Sequence, residues 1–242
     1  MIEKKSAFEE AKIPLQKTAT ISSRRKFLTY AGLSATLFAA SCRKGALEDF
    51  LDGKNPLHGP KDAVDLGSGD VGILNYAYAL EQLEAAFYTM VTKNWYEGIS
   101  SKEKKYLEDI RDHEIAHREF FKNALGSSAI GALEVNFSSI NFSSRDSVLG
   151  TAKAFEDLGV SAYNGAGELL KSADYLLLAG KIVSVEARHA AAIRDLISYG
   201  SFADNTVVNQ MGLDLYRKPP EVLQIASTYI TTKINANNLP TS

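Results

Sequence analysis

Apolar residues recur every three or four positions over four long stretches of this chain, a period that predicts four helices with one buried face each. The first stretch begins near Asp70, a plausible N-cap, and runs to about Lys93, with Ile73, Leu74, Ala77, Leu80, Leu83, Phe87 and Met90 at helical spacing. The second is announced by Ser100-Ser101-Lys102-Glu103, a capping-box pattern, and runs to about Leu125, with Gly126 as its stop. A third covers roughly Asp146 to Lys171, weakened by Gly150, Gly159, Gly165 and Gly167, whose missing side chains allow close helix approach. The fourth runs from about Ser172 to Tyr199 and closes at Gly200. Between the second and third lie residues 127 to 145, rich in Ser, Asn and Gly, with spaced Val135, Phe137, Ile140 and Phe142. That length is a crossover rather than a tight turn. The expected fold is all-α, a four-helix bundle over residues 70–200 with its long connection between helices 2 and 3. Residues 201–242 form a C-terminal extension, irregular apart from one short helix after Pro219-Pro220.

A polar pattern repeats inside the apolar one. Glu114-Ile-Ala-His117 and Glu186-Ala-Arg-His189 are two Glu-x-x-His pairs 72 residues apart. Glu81 precedes Tyr88 by seven residues, as Glu156 precedes Tyr163, at an offset of 75. The chain thus reads as two helical hairpins with one polar design. Random scattering of its Glu and His residues would give only about a quarter of one Glu-x-x-His match, so a tandem is unexpected.

Composition narrows the picture. A length of 242 residues holds one large domain or two small ones, and 45% hydrophobic with 23% charged residues suits a chain that buries a core. The formal net charge of −2, with both signs interspersed, offers no nucleic-acid patch. Cys42 is the single cysteine, which leaves no internal disulfide, zinc ribbon or Cys-ligated iron centre. Residues 1–42 read as an export signal. Ser23-Arg24-Arg25-Lys26-Phe27-Leu28 resembles the twin-arginine motif, and the apolar run to Ala40 is too short for a bilayer span of about 20 residues. Ala39-Ala40-Ser41-Cys42 resembles a lipobox with Ala where Leu is usual, so the expected location is the periplasm or cell envelope of a bacterium, with lipidation of Cys42 left open; the other reading of this run is a buried amphipathic helix. Residues 43–69, with His58, read as a tether.

Positions i and i+3 share a helix face, so each Glu-x-x-His pair offers one carboxylate and one imidazole to a common ion. Two such pairs plus one Glu from each other helix make the ligand set of a carboxylate-bridged dimetal site: Glu81, Glu114, His117, Glu156, Glu186 and His189. Four carboxylates balance two divalent ions, and the mixed oxygen and nitrogen donors suit iron first, manganese second, and not calcium. Glu84 competes with Glu81 for the first-helix role; the spacing to the tyrosine favours Glu81. His113 lies about 100° around the helix from Glu114 and is read as a neighbour of the site or a surface residue. Tyr88 and Tyr163 either gate the site, pass electrons to it or fill core.

Leu74-Asn75-Tyr76-Ala77-Tyr78-Ala79-Leu80-Glu81-Gln82-Leu83-Glu84-Ala85-Ala86-Phe87-Tyr88, with the two Glu-x-x-His pairs, resembles the ferritin-like superfamily, and within it the exported ferritin-like proteins that include the desiccation-related group. The resemblance covers about residues 70 to 200. It implies the same six ligands and a redox chemistry of ferroxidase or peroxidase type: oxidation of ferrous iron, or reduction of oxygen or peroxide. Metal ions, oxygen or peroxide and the twin-arginine export machinery are the expected partners, a homo-oligomer is left open, and a storage shell is not expected. The alternative reading is a non-catalytic envelope protein that binds metal or protects against stress.

Overall fold

The computed structural model describes residues 63–241. The export signal, the lipobox with Cys42, His58 and most of the tether lie outside the described residues. Within them the element order is β1 (Ala63–Asp65), α1 (Gly69–Lys93), α2 (Ser101–Leu125), α3 (Arg145–Gly167), α4 (Ala173–Ile197), α5 (Pro219–Ala226) and β2 (Lys233–Asn235). Among the described residues the fold is all-α apart from that pair of three-residue strands. No described helix is long and apolar enough to cross a membrane.

Local chemistry sets the helix ends. Ser100 and Glu103 close a reciprocal capping box at the start of α2, as the sequence pattern predicts. Ser144 and Ser172 accept from the third backbone N–H of α3 and α4. Asp70 has a different job from the N-cap read for it. It lies inside α1, and its two carboxylate oxygens accept from the N–H groups of Lys171 and Ser172 at 2.8 and 2.9 Å, so α1 anchors the entry to α4. α3 ends at Gly167, four residues short of its expected Lys171, because the chain must turn there to reach that clamp.

α1 packs chiefly on α2 and α3 chiefly on α4, giving the two hairpins of the bundle. α1 is buried almost all round, since the crossover covers the side that a surface helix would leave wet. Two buried amides of α1 hold that crossover down. Asn75 donates to the carbonyls of Leu66 and Ser128 and accepts from Ile130 N–H; Gln82 donates to Gly131 O and accepts from Leu133 N–H. Below them, Phe87 is fully buried among the rings of Tyr88, Phe137, Phe142 and Phe155. Burying a ring of that size stabilises by about 1.5–3 kcal/mol. Met90, counted among the inward positions, is 39% exposed, being the outermost turn of that face.

Residues 63–69 correct the reading of the tether. β1 pairs in parallel with β2, Ala63 opposite Lys233 and Asp65 opposite Asn235, and Leu66 is wholly buried. The extension after residue 200 is likewise strapped to the bundle. Arg194 on α4 donates to both oxygens of Asp157 on α3 at 2.8 Å, and to Asp204 and Thr206 beyond the helix. Further on, Arg217 N–H donates to the Ser161 carbonyl at 2.9 Å.

Candidate metal centre

Four helices each deliver a carboxylate to the middle of the bundle. Glu81, Glu114, Glu156 and Glu186 are all fully buried, from α1, α2, α3 and α4 in turn, and His189 is 5% exposed. Their donor atoms, with those of His117, form two overlapping groups. Glu81, Glu114, His117 and Glu186 make one; Glu114, Glu156, Glu186 and His189 make the other. Within each group the atoms lie within 4.8 Å of one another, close enough to hold a metal ion. Glu114 and Glu186 belong to both groups, while each group has one further Glu and one His of its own. That is the pseudo-symmetry of the sequence repeat expressed in space.

The contacts mirror each other. His117 Nδ1 lies 2.8 Å from Glu186 Oε1, 3.5 Å from Glu81 Oε2 and 3.6 Å from Glu114 Oε2. His189 Nδ1 lies 2.8 Å from Glu114 Oε1, 3.5 Å from Glu156 Oε2 and 3.6 Å from Glu186 Oε2. These distances are short, yet the geometry of a hydrogen bond is not met. Both Nδ1 atoms, both oxygens of Glu114 and of Glu186, and Oε2 of Glu81 and Glu156 have no hydrogen-bond partner. Polar atoms buried without partners cost roughly 1–3 kcal/mol each, more when charged, and these atoms lie close enough together to hold an ion. A cation there satisfies them together.

Two tyrosines fix the remaining oxygens. Tyr88 on α1 donates to Glu156 Oε1 on α3 at 2.5 Å, and Tyr163 on α3 donates to Glu81 Oε1 on α1. Each phenol reaches across to the other hairpin, occupies one carboxylate oxygen and leaves Oε2 aimed at the centre. Burial, with the charge of the bonded Glu, pushes both phenols well above their ordinary pKa, so they stay protonated donors.

Without metal the site is an uneasy crowd of charge. Burial pushes Glu156 up to about 8 despite His189 beside it, and pushes Glu81 well above the usual carboxylate range despite His117. Burial would also raise Glu114, but His117 and His189 outweigh it and bring that carboxyl down to about 2. Burial alone would lower the His117 pKa; Glu114, Glu186 and Glu81 around it win and push it up to about 12. His189 moves the same way for the same reason. The imidazolium protons thus stand where positive charge is wanted.

Glu84 and His113 break the two-fold pattern. Adding the 75-residue offset to Glu84 gives Gly159, and a Cβ there would lie 3.1 Å from Glu84 Oε1: the carboxylate occupies the room that its counterpart leaves empty. Neither donor group includes Glu84. Burial and the charges of Glu114, Glu186, Glu156 and Glu81 push its pKa well up. His113 Nδ1 lies 2.9 Å from His189 Nε2, with the rings nearly coplanar, and His113 itself is exposed. His189 therefore shows one nitrogen to the centre and the other to a surface imidazole, which fixes its ring. The sequence placed His113 near the site without its partner, 76 positions away.

The family model described as a ferritin-like domain matches residues 69–199, more than half of the chain and all four bundle helices. The chain belongs to the ferritin-like family. Among curated proteins, none matches it. The ferritin-like match spans every residue of both donor groups, from Glu81 to His189.

Proposed function

We propose that this ferritin-like protein binds two transition-metal ions, iron foremost and manganese second, and works as a redox protein of ferroxidase or peroxidase type. One observation carries the reading: two overlapping donor sets share the fully buried Glu114 and Glu186, with their oxygens and both imidazole Nδ1 atoms unpartnered. Shared carboxylates place negative charge between two cations that would otherwise repel. Bound iron supplies electrons for the reduction of oxygen or peroxide. The chain does the rest. Tyr88 and Tyr163 hold the outer carboxylates in place, His113 orients His189, and the surrounding apolar side chains exclude bulk water. His117 and His189 give up their Nδ1 protons as metal enters, so binding releases protons and tightens with rising pH.

A second reading is metal holding without turnover. The full burial of all four central carboxylates supports this reading, since an ion held there is shielded from solvent. Elemental analysis and stopped-flow oxygen consumption with added Fe(II) separate the two. We expect about two ions per chain and oxygen uptake coupled to ferrous oxidation. Uptake of metal with no oxygen consumed supports the second reading, and no metal after supplemented expression rejects both. We further propose export through the twin-arginine route to the cell envelope, with a lipid on Cys42. Precursor accumulating in cells of the Arg24→Lys, Arg25→Lys variant, and loss of membrane association in Cys42→Ala, test that reading.

A further inference from the structure

A cavity of about 450 Å³, lined by no residue of the Glu/His cluster, is walled by α3, α4 and the strap that follows them. Its size falls within the range of roughly 300–1,000 Å³ usual for small-molecule pockets. Space exists because α4 presents Ala187, Ala190 and Ala191 there, while Phe202 and Leu215 of the strap add apolar surface. Phe202 is 60% exposed, so apolar surface at this site remains open to solvent.

The charges in this pocket are not balanced internally. Arg194 is committed to Asp157 and Asp204. Lys153 and Arg217 also line the cavity, and among the described residues neither has a carboxylate within ion-pair distance. The remaining acid of the lining, Asp214, is exposed. Arg217 is also held in place. Its backbone N–H donates to Ser161 O at 2.9 Å, and its Nη1 donates to the buried Ser161 Oγ at 2.6 Å. Gly165 makes that seat possible, since any Cβ there would collide with the Arg217 carbonyl. A guanidinium fixed by one nitrogen keeps its other donors for a planar, two-oxygen acceptor.

We propose that this cavity binds an amphipathic organic acid, its carboxylate paired with Arg217 and Lys153 and its apolar body lying along the alanines of α4. The proposal is independent of the metal reading, because neither Arg217 nor Lys153 belongs to the Glu/His cluster. Inorganic anions fit less well: much of the lining is apolar and gains nothing from them.

Isothermal titration of the full-length protein with 2-naphthoate, against 2-naphthamide as an uncharged match, tests it. The acid should bind once per chain and about tenfold or more tighter than the amide, the range expected for a charged hydrogen bond. Arg217→Gln should remove most of the advantage of acid over amide, leaving the part that Lys153 supplies, while metal content and circular dichroism stay unchanged. Ala191→Phe, which fills the cavity, should abolish binding of both, and Lys153→Gln should weaken the acid alone. No binding of 2-naphthoate at millimolar concentration, equal binding of acid and amide, or an Arg217→Gln protein that binds as the wild type does would each overturn the proposal.

Discussion

Each carboxylate of the centre is a liability alone and an asset with a cation. Glu156 makes the point most sharply. Its pKa is pushed up to about 8 from an ordinary 4.5, so its stabilising protonated state is complete below 4.5 and is lost as pH rises through 8. His117 runs the same way: its contribution is complete below 6.5 and is lost only as pH rises towards 12. Glu114, held at about 2, contributes fully above 4.5 and stays constant over that window. The metal-free protein should therefore unfold at a lower temperature at about pH 9 than at about pH 6, whereas metal affinity rises over the same interval; a flat profile by scanning calorimetry contradicts this. Glu156→Gln keeps an acceptor for Tyr88 and removes the buried charge. It should raise the melting temperature of the metal-free protein at pH 9, above the Glu156 pKa of about 8, and lower its metal content, two readouts of opposite sign. The six donors were legible in sequence because i, i+3 spacing and a repeat offset are local facts. Glu84 facing Gly159 and His113 meeting His189 were not, since each depends on which helices become neighbours.

At the level of elements, capping chemistry makes one helix start readable in sequence: Ser100 with Glu103 marks α2 by hydroxyl and carboxylate geometry within four residues. Ser144 and Ser172 cap α3 and α4 with no Glu or Gln three residues on to signal them. Ends were harder. Asp70 looked like a cap for its own helix and instead holds the entrance of α4, a contact across about a hundred positions that no local rule reports. Two of the α3 glycines give close approach, Gly159 to the Glu84 side chain of α1 and Gly165 to the strap backbone, and only the first of these lies between helices. Gly165→Ala places a methyl against the Arg217 carbonyl, where the free distance is 1.8 Å. The strap must then lift. We expect a loss of about 1–3 kcal/mol of stability and faster proteolysis between residues 201 and 218, with the four donor helices intact by circular dichroism.

For the whole molecule, the all-α class, the two hairpins and the position of the crossover followed from periodicity and repeat. The strand pair did not, because three residues carry no readable period. Nor did the way α1 is wrapped, which depends on Asn75 and Gln82 meeting the crossover backbone. Since the donors come from all four helices, an ion at the centre links both hairpins and acts on the folded state alone. Metal at a hundredfold excess over its dissociation constant should add about 2.7 kcal/mol for each ion bound, seen as a higher melting temperature that chelation reverses. An unchanged melting temperature on chelation of metal-loaded protein would sever the centre from the fold.

The β1–β2 ladder has a topological consequence. Ala63 lies opposite Lys233, about 4.8 Å away with the two strands pointing the same way, so the first described segment is clasped to the last. The two hairpins between them are closed into a loop, and loosening either strand should loosen both, seen as a joint loss of amide protection at residues 63–66 and 233–235.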